Sequence, residues 1–376
     1  MTTTINIAAI VPYPVYPAKM GGQKGIALFY QYLSKLLPIT LISTKKNVFP
    51  EDTNITFLPL LSNSRSRYIN LFLFFSLKKV IQKRKITHLV LEHPYYGWLG
   101  ILLKWSCNIK LVLHSHNIES LRFKSTGKWW WRLLFYYEKQ THRKADVNFF
   151  ITEDDKHFAI SEFKLDPAKC HTITYGFELN KIPPPSVRAT AKKALQRIHN
   201  IDPSENIFFF NGTLDYQPNL DAVNTILNEL NPQLLQRPSF KYKIIICGKN
   251  LPLAYNELKA YNSKNIIYAG FVDDISTYFN GVDCFLNPMM DGGGIKTKLV
   301  EALGYNLSCI STINGAIGVP KSVTGNKLKI LPNADWINFT NAIFESGTDD
   351  DIPELFFDHF YWGNISKKVA GLLDPK

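Results

Sequence analysis

A glycine run sits directly before a segment with a helical pattern, at Gly292, Gly293 and Gly294. Free N–H groups at the start of a helix, with the macrodipole behind them, attract anions, and glycines let a phosphate approach the backbone closely. Lys298 adds positive charge beside this bend. Glu301, farther along the predicted helix, can accept hydrogen bonds from a vicinal diol such as a ribose. These residue types, in this order, predict a site for a nucleotide diphosphate.

Strands and helices that alternate along the chain must position this bend. Hydrophobic runs predict strands in the first half at about 5–11, 39–43, 55–58, 87–91, 109–114 and 146–151. In the second half they predict strands at 207–210, 243–247, 265–270, 283–287 and 308–312. Segments between them have helical periodicity, which indicates parallel sheets with helices on both faces. The fold class predicted is therefore α/β, with two Rossmann-like domains.

The length of the chain, 376 residues, also favours two domains, each able to bury its own core. We predict a stiff linker at 178–190, where three consecutive prolines cannot join either sheet. The domains expected on either side of it are 1–182 and 183–355. Parallel sheets bind ligands at the carboxyl ends of their strands, so we expect the site in a cleft between facing sheets.

Composition excludes several classes of protein. Hydrophobic content of 45% and charged content of 20% are ordinary for a folded chain and argue against disorder. The spacing of the cysteines suggests neither a zinc site nor a disulfide framework, which favours a reducing compartment. Prolines interrupt the apolar run at the N-terminus, and no stretch reaches about 18 apolar residues, so we predict neither signal peptide nor membrane span.

The net charge of +12 is concentrated in the first half of the chain. Residues 1–180 carry 24 Lys and Arg against 12 Asp and Glu, whereas residues 181–376 carry 19 of each. Cations surround aromatic segments at 68–85 and 128–144, a composition typical of a surface that lies on anionic lipid. Ordinary amphipathic helices facing the core would also explain the rings, but not the one-sided charge. No nucleic-acid-binding motif accompanies the charge. We therefore predict a cytoplasmic protein, peripheral on the inner face of the cell membrane.

The stretch 283–318, DCFLNPMMDGGGIKTKLVEALGYNLSCISTINGAIG, resembles the donor-binding region of GT-B glycosyltransferases of the group 1, or family 4, type. Further similar stretches follow the family's order along the chain, at 21–25, 114–123, 145–156, 208–223 and 268–274. The resemblance covers most of the chain. It implies a metal-independent, hexosyltransferase-type enzyme that moves a sugar from a nucleotide-diphosphate donor with retention of configuration. A glycan or lipid-linked acceptor and a role in polysaccharide or lipopolysaccharide biosynthesis would follow.

The family resemblance also implies roles for the residues of the glycine bend. Glu301 aligns with the second glutamate of the family's E-x7-E motif, which holds the donor ribose. The first glutamate of that motif falls at Gly293, a departure that leaves Asp291 or backbone N–H groups to bind the donor sugar. The family's basic residues after the first strand of the second domain are absent, and Lys298 is the substitute. The last helix, 356–376, would return to the first domain.

In the first half, LVLHSHNIES places His114 and His116 at the carboxyl end of a strand. The resemblance assigns a catalytic group, His116, Asn117 and Glu119. His116 would hydrogen-bond the sugar and stabilise positive charge at the anomeric carbon, and Glu119 could orient its ring. The same resemblance assigns three glycines to the donor site, namely Gly21, Gly22 and Gly212. We expect Gly21 and Gly22 to end a loop before a helix at 25–37.

Two alternatives stay open from the sequence. A dinucleotide-dependent oxidoreductase is disfavoured because the first loop lacks the G-x-G-x-x-G order and no acidic residue ends the next strand. The second is a non-catalytic, membrane-associated nucleotide-sugar-binding protein derived from a transferase. The missing glutamate at Gly293 makes it conceivable, and turnover on an acceptor separates it from an enzyme.

Overall fold

The structure is a computed structural model that describes residues 5–18, 21–50, 53–347 and 350–374. The chain divides into two compact units. The first unit comprises Met1–Gly176 with Trp362–Lys376, and the second comprises Phe177–Tyr361. The first unit therefore ends at Gly176 and not at 182, and the chain re-enters it at Trp362 and not at 356.

The first unit contains a parallel sheet that has seven strands within the described residues. Its strand order is β3-β2-β1-β4-β5-β6-β7. The strands are β1 (Ile7–Ile10), β2 (Ile39–Thr44), β3 (Ile55–Leu61), β4 (His88–Glu92), β5 (Lys110–Ser115), β6 (Val147–Phe150) and β7 (Cys170–Thr172). Every residue of β1, β2 and β4 is buried, as parallel strands covered on both faces require.

Helices of the first unit cover both faces of this sheet. They are α1 (Gly21–Leu33), α2 (Phe72–Arg84), α3 (Gly97–Cys107), α4 (Glu119–Ser125), α5 (Trp131–Lys144) and α6 (Glu153–Phe163), with α15 (Trp362–Leu373) from the C-terminal segment. Helices α2, α3 and α5 pack side by side in one layer, and α1 packs against α15. Helix α15 is held by the ring of Trp362, which packs directly over the backbone of Gly176 and against Tyr175.

The second unit repeats the architecture with a parallel sheet of order β10-β9-β8-β11-β12-β13. Its strands are β8 (Asn206–Asn211), β9 (Tyr242–Cys247), β10 (Ile266–Gly270), β11 (Cys284–Asn287), β12 (Ser308–Thr312) and β13 (Leu328–Leu331). Its helices are α7 (Pro185–His199), α8 (Gln217–Thr225), α9 (Asn231–Leu235), α10 (Ile275–Gly281), α11 (Thr297–Gly304), α12 (Lys321–Thr324), α13 (Trp336–Phe344) and α14 (Glu354–Phe360). Phe208, Ile244 and Leu286 line a common core beneath α8.

Two predictions about connecting segments are wrong. The predicted linker 178–190 is only partly irregular, because α7 begins at Pro185, where the missing proline N–H is not needed for helical bonds. Gly21 and Gly22 do not end a loop, because they lie in α1. Packing explains a third glycine near the start of this helix, because a Cβ on Gly25 would lie only 3.2 Å from the ring of Tyr175.

Candidate functional site

Polar residues at the carboxyl ends of β4 and β5 lie close together in the first unit. The two strands are parallel neighbours, and their register pairs Glu92 with His114. His116 follows β5 by one residue. Adjacent parallel strands end at one edge of the sheet, so these side chains converge there. Glu92 was not among the residues predicted from the sequence.

Glu92 accepts hydrogen bonds on both carboxylate oxygens. Oε1 accepts from the Tyr30 hydroxyl at 2.5 Å and lies 3.1 Å from Nδ1 of His114, and Oε2 lies 2.5 Å from Nε2 of His116. Glu92 is 1% exposed. Burial alone would raise its pKa, but electrostatic interactions and hydrogen bonds with the two histidines outweigh burial and hold the pKa well below its usual range. Glu92 is therefore an ionised, fully engaged carboxylate at neutral pH.

Glu119 does not orient His116, contrary to the sequence prediction. Its Oε1 lies 3.1 Å from Nδ1 of His93, and its Oε2 accepts from Tyr95 at 2.7 Å and from two nitrogens of Arg122. These partners, led by His93, outweigh burial and lower the pKa of Glu119 to about 2. The carboxylate that bonds His116 is Glu92, because α4 directs the Glu119 side chain towards His93 and Arg122.

His93 joins the two carboxylate networks. Its ring stacks on His116 with centroids 4.6 Å apart and an interplanar angle of 25°. Its Nε2 lies 2.8 Å from the Tyr13 hydroxyl. The backbone of His93 has φ 68° and ψ 160°, a strained conformation that residues other than glycine rarely adopt. Residues held in such strained conformations cluster at functional sites. The sheet edge thus carries an ordered stack of imidazoles between two buried carboxylates.

The segment after His116 is held by its backbone. The Asn117 carbonyl accepts from the Ser115 hydroxyl at 3.0 Å. The N–H groups that open α4, those of Glu119 and Ser120, donate to the two carboxylate oxygens of Glu138 at 2.8 and 2.9 Å. Burial raises the pKa of Glu138 to about 7 despite these bonds. Glu138 on α5 therefore fixes the start of the helix that carries Glu119.

Within the described residues, one group has metal-ligand atoms within 4.8 Å of one another, and it is Glu92, His114 and His116. The carboxylate oxygens of this group already face imidazole nitrogens at hydrogen-bond distance. The arrangement is thus organised for sharing and directing protons.

The second unit places the glycine run after β11. Gly292 has φ 97° and Gly294 has φ 67°, in the left-handed region that favours glycine. Lys296 has extended backbone angles, and α11 starts at Thr297, just after the glycine run. Asp291 and Gly293 are exposed, and Gly292 is half-buried near Tyr216 and Pro218. The bend predicted at this position is present, with its strained residues at the first and third glycines.

Lys296 holds the glycine bend from beneath. Its ammonium donates to the carbonyls of Gly292 and Gly294 at 2.6 and 2.9 Å, and the residue is 7% exposed. Burial lowers its pKa to about 8, although Asp291 opposes the shift. Because carbonyls of the bend are turned to this ammonium, the shape of the bend depends on a buried lysine.

Lys298 is engaged within the protein and does not extend into solvent. Its ammonium donates to the Asn211 carbonyl at 3.0 Å and to the Asn219 side chain at 2.8 Å, and it lies 3.6 Å from the sulfur of Met289. An ammonium has three donors, so this residue must release a partner before it can bind a phosphate. Burial lowers its pKa well below the usual range, with Lys296 adding to the shift. The contacts tie α11 to the end of β8.

Gly212 and Glu301 lie on either side of this link. A Cβ at Gly212 would come within 2.7 Å of the Asn219 side chain, so packing already explains the absence of a side chain there. Glu301 is half-buried in α11, one turn after Thr297 and three residues after Lys298, on the same side of the helix. The structure therefore assembles Gly212, the bend, Lys298 and α11 around the adjoining ends of β8 and β11.

A basic, aromatic layer distinguishes the surface of the first unit. Helices α2, α3 and α5 contain one acidic residue, Glu138, and it is buried. Large apolar side chains are exposed on or just before these helices, namely Ile69, Leu71, Phe72, Phe75, Leu102, Trp105, Trp129, Leu133 and Tyr136. Within the described ranges, no helix has the length and apolarity needed to cross a bilayer.

Two features thus characterise the chain. One parallel α/β unit has a histidine–carboxylate edge, and the other has a glycine bend before a helix. This is the architecture of GT-B glycosyltransferases. A family model described as "Glycosyltransferase Family 4" matches residues 21–181, and one described as "Glycosyl transferases group 1" matches residues 205–348. The chain belongs to the group 1, family 4 glycosyltransferases, and it is an enzyme of that class.

Individual relatives agree with this assignment. The chain is 24% identical over 345 residues to an uncharacterised 44.6 kDa protein of the cps region of Klebsiella pneumoniae, covering 88% of this chain and 81% of that protein. It is 25% identical over 308 residues to UDP-Gal:α-D-GlcNAc-diphosphoundecaprenol α-1,3-galactosyltransferase of Escherichia coli, covering 80% and 76%. Sucrose-phosphate synthase of Thermosynechococcus elongatus shares the fold, with TM-score 0.75 and 15% identity over 98% of each chain.

Sequence reasoning missed Glu92 and His93 as members of the first-unit site. A signal was available, because Glu92 and His93 end one predicted strand just as His114 and His116 end the next. Polar residues at the ends of two neighbouring parallel strands meet in space. The order of the strands in the sheet, which makes β4 and β5 neighbours, could not be read from local pattern.

Proposed function

We propose that this enzyme transfers a sugar from a nucleotide-diphosphate donor to a lipid-linked or glycan acceptor with retention of anomeric configuration, in the synthesis of a cell-surface polysaccharide or lipopolysaccharide. The Escherichia coli relative is named for a UDP-sugar donor and a diphosphoundecaprenol-linked acceptor, and the Klebsiella relative for a cps region. The name of the Escherichia coli relative supports a donor of the UDP class and a lipid-linked glycan acceptor for this chain.

The observation that carries the proposal is the glycine bend fixed before α11. Left-handed glycines at Gly292 and Gly294 shape a side-chain-free loop, and Lys296 pins its carbonyls inward. A loop of this kind can offer N–H groups to a diphosphate, since anions bind such backbone concavities and helix starts. Glu301 on α11 would hold the ribose through charge-assisted hydrogen bonds.

In this proposal the first unit acts on the transferred sugar. His116 hydrogen-bonds the sugar and favours the positive charge that develops at the anomeric carbon as the nucleotide diphosphate departs. The acceptor hydroxyl attacks on the face that the diphosphate leaves, which retains configuration. The diphosphate carries away the bonding electron pair, and the acceptor proton passes to it or to solvent. No protein nucleophile and no metal are required by this route.

A screen of nucleotide sugars by thermal shift tests the donor. A ligand at about 100 times its dissociation constant stabilises the folded protein by about 2.7 kcal/mol, so a true donor raises Tm more than its competitors. We expect a UDP-sugar to do so and to support transfer to a diphosphoundecaprenol-linked acceptor. Tight UDP binding without turnover on any acceptor would favour a non-catalytic binder and contradict the proposal. A rise in Tm with NADH alone would indicate an oxidoreductase.

We also propose that the layer of α2, α3 and α5 lies on the anionic inner face of the cell membrane. The layer combines exposed aromatic rings with cations and carries no exposed acid within these three helices. Each cation near an anionic bilayer contributes about 1 kcal/mol, and aromatic rings anchor at the headgroups. A peripheral position there would bring the enzyme to a lipid-linked acceptor.

Vesicle sedimentation tests this surface. Glutamine at Lys78, Lys79, Lys83, Arg84 and Lys85 should release the enzyme from phosphatidylglycerol vesicles. The matched control replaces five exposed lysines of the second unit, Lys193, Lys241, Lys259, Lys264 and Lys321, with glutamine. Equal loss of binding in both variants would show that total charge matters and not this layer. Retained binding in the first variant would refute the lipid-facing surface.

A further inference from the structure

Glu92 accepts a hydrogen bond from every polar group that faces it in the network. The groups are the Tyr30 hydroxyl, Nδ1 of His114 and Nε2 of His116. An ionised carboxylate offers about four lone-pair positions and no donor, so each of these three partners must supply the proton of its own hydrogen bond. The geometry therefore places a proton on Nδ1 of His114 and on Nε2 of His116.

From this we infer that Glu92 is a positioning residue that holds neutral His116 in the tautomer protonated at Nε2, so that Nδ1 of His116 accepts a hydrogen bond from a substrate hydroxyl. The inference rests on the proposed function, in which His116 contacts the transferred sugar. It adds the direction of that contact, since a neutral His116 accepts from the sugar and does not donate to it.

The surroundings of His116 leave Nδ1 as the nitrogen for substrate. The hydrogen bond that the described residues make with this ring ends at Nε2. The side chain is 15% exposed, whereas the Glu92 side chain is fully buried. The His93 ring stacks on the imidazole of His116, and the centroid of the tilted His114 ring lies 4.7 Å from that of His116. A rotation that exchanged the two ring edges would break the bond to Glu92.

The tautomer has a chemical consequence for the transfer. A hydroxyl that donates to Nδ1 gains electron density on its oxygen, which favours positive charge on the sugar as the diphosphate leaves. His114 provides the comparison within the network. Its proton is on Nδ1, and its Nε2 is buried without a hydrogen-bond partner in the described structure, so that lone pair is closed to substrate. His116 is thus the histidine of this pair that can act on a ligand.

Nitrogen NMR on histidine-labelled enzyme tests the tautomer without any substrate. Long-range proton–nitrogen correlations at about pH 8.5, about two units above the ordinary imidazole pKa, distinguish the two neutral tautomers and the imidazolium. We expect Nε2 of His116 to be protonated and Nδ1 to be pyridine-like, with His116→Gln used to assign the signals. A proton on Nδ1, or an imidazolium at this pH, would overturn the inference.

Glu92→Gln gives a second test because the amide can keep all three contacts. Its oxygen can still accept from Tyr30 and His114, and its NH₂ can donate to His116, which would move the His116 proton to Nδ1. We expect the NMR pattern of His116 to reverse and kcat to fall about 100-fold or more, as when a catalytic histidine is held in the wrong tautomer. UDP affinity should stay within about twofold. An unchanged His116 pattern in folded Glu92→Gln would contradict the inference.

Two further variants keep the result interpretable. Glu119→Gln makes the same chemical change at the carboxylate that faces His93, and it should leave the His116 tautomer unchanged. Glu92→Asp keeps an acceptor-only group, and it should preserve the wild-type tautomer if Glu92→Gln does not fold. The proposed function fails separately, because full turnover in His116→Ala would remove this residue from the reaction whatever its tautomer.

Discussion

The two units end their parallel sheets with different chemistry. At the carboxyl end of β4 and β5 the first unit gathers titratable side chains, whose protons are distributed among buried carboxylates and stacked imidazoles. After β11 the second unit instead presents a backbone bend, with its lysines turned inward onto carbonyls. This difference supports the division of labour proposed above, in which the first unit directs protons and charge and the second binds an anion.

Removing the imidazole of His116 should have the largest effect on the enzyme. We expect His116→Ala to lower kcat by about 100- to 1,000-fold, because a preorganised group that stabilises developing charge is worth this much. UDP affinity should not change, since the proposed nucleotide site belongs to the second unit. Steady-state kinetics with UDP binding by calorimetry separate the two quantities. His157→Ala, an exposed histidine on α6, is the control. Equal losses of turnover and UDP affinity in His116→Ala would contradict the proposed division of labour between the two units.

The complementary change in the second unit is Glu301→Ala. Loss of charge-assisted hydrogen bonds to a ribose should weaken UDP binding by about 2–3 kcal/mol, which is about 30- to 150-fold. At saturating donor, kcat should fall much less. Calorimetric titration with UDP measures the effect, and the exposed Glu229→Ala serves as the matched control in the same unit. Unchanged UDP and GDP affinity would exclude Glu301 from the site.

The glycine bend gives a smaller and more specific effect. A Cβ on Gly292 would meet no atom closer than 3.5 Å, so Gly292→Ala acts through its φ of 97° alone and should cost about 1–2 kcal/mol. Gly127→Ala is matched, since Gly127 has φ 69° with open space around it. Both variants should lower Tm. If only Gly292→Ala also weakens UDP binding, the bend is part of the site, and equal affinities would make it a structural turn.

The pH dependence of donor binding should report Lys296. Its pKa of about 8 lies below the unfolded value, so the folded chain loses this proton first as pH rises. From pH 8 to about 10.5 this group alone increases the free energy of unfolding. UDP affinity should fall over the same range by about fivefold, the scale of about 1 kcal/mol for one nearby charge.

Lys296→Arg tests whether the fall in UDP affinity is caused by the loss of charge at this position. Arginine remains charged over the whole range, so the variant should hold its UDP affinity to about pH 10. Parallel pH titrations of wild type and variant by calorimetry measure the difference. A wild-type affinity that does not change between about pH 7 and 9.5 would contradict the role of Lys296 beneath the bend.

Much of the fold could be predicted because buried parallel strands are uninterrupted apolar runs. Two strands escaped, since β7 has only three residues and Lys329 interrupts the apolar run of β13. The start of α1 was misplaced because Gly21 and Gly22 suggest a loop, while the helix tolerates them at its first turn.

The parts of the candidate site that lie in one continuous stretch of sequence could be predicted, whereas the parts that depend on contacts between distant residues could not. The bend around Gly292 lies in one continuous stretch, and its position followed from sequence. Glu92 became visible only through the pairing of β4 with β5, a contact between residues 22 positions apart. The inward direction of Lys298 likewise depends on Asn211 and Asn219, which are distant along the chain. Side-chain partners of this kind are set by topology and not by spacing.

We propose that the glycine bend and α11 bind the diphosphate and ribose of an activated sugar. A crystal structure of the enzyme with UDP or UDP-galactose tests it most directly. We expect phosphate oxygens on the N–H groups around Gly292 to Gly294 and ribose hydroxyls on Glu301. A bound nucleotide elsewhere, with this bend facing bulk solvent, would contradict it.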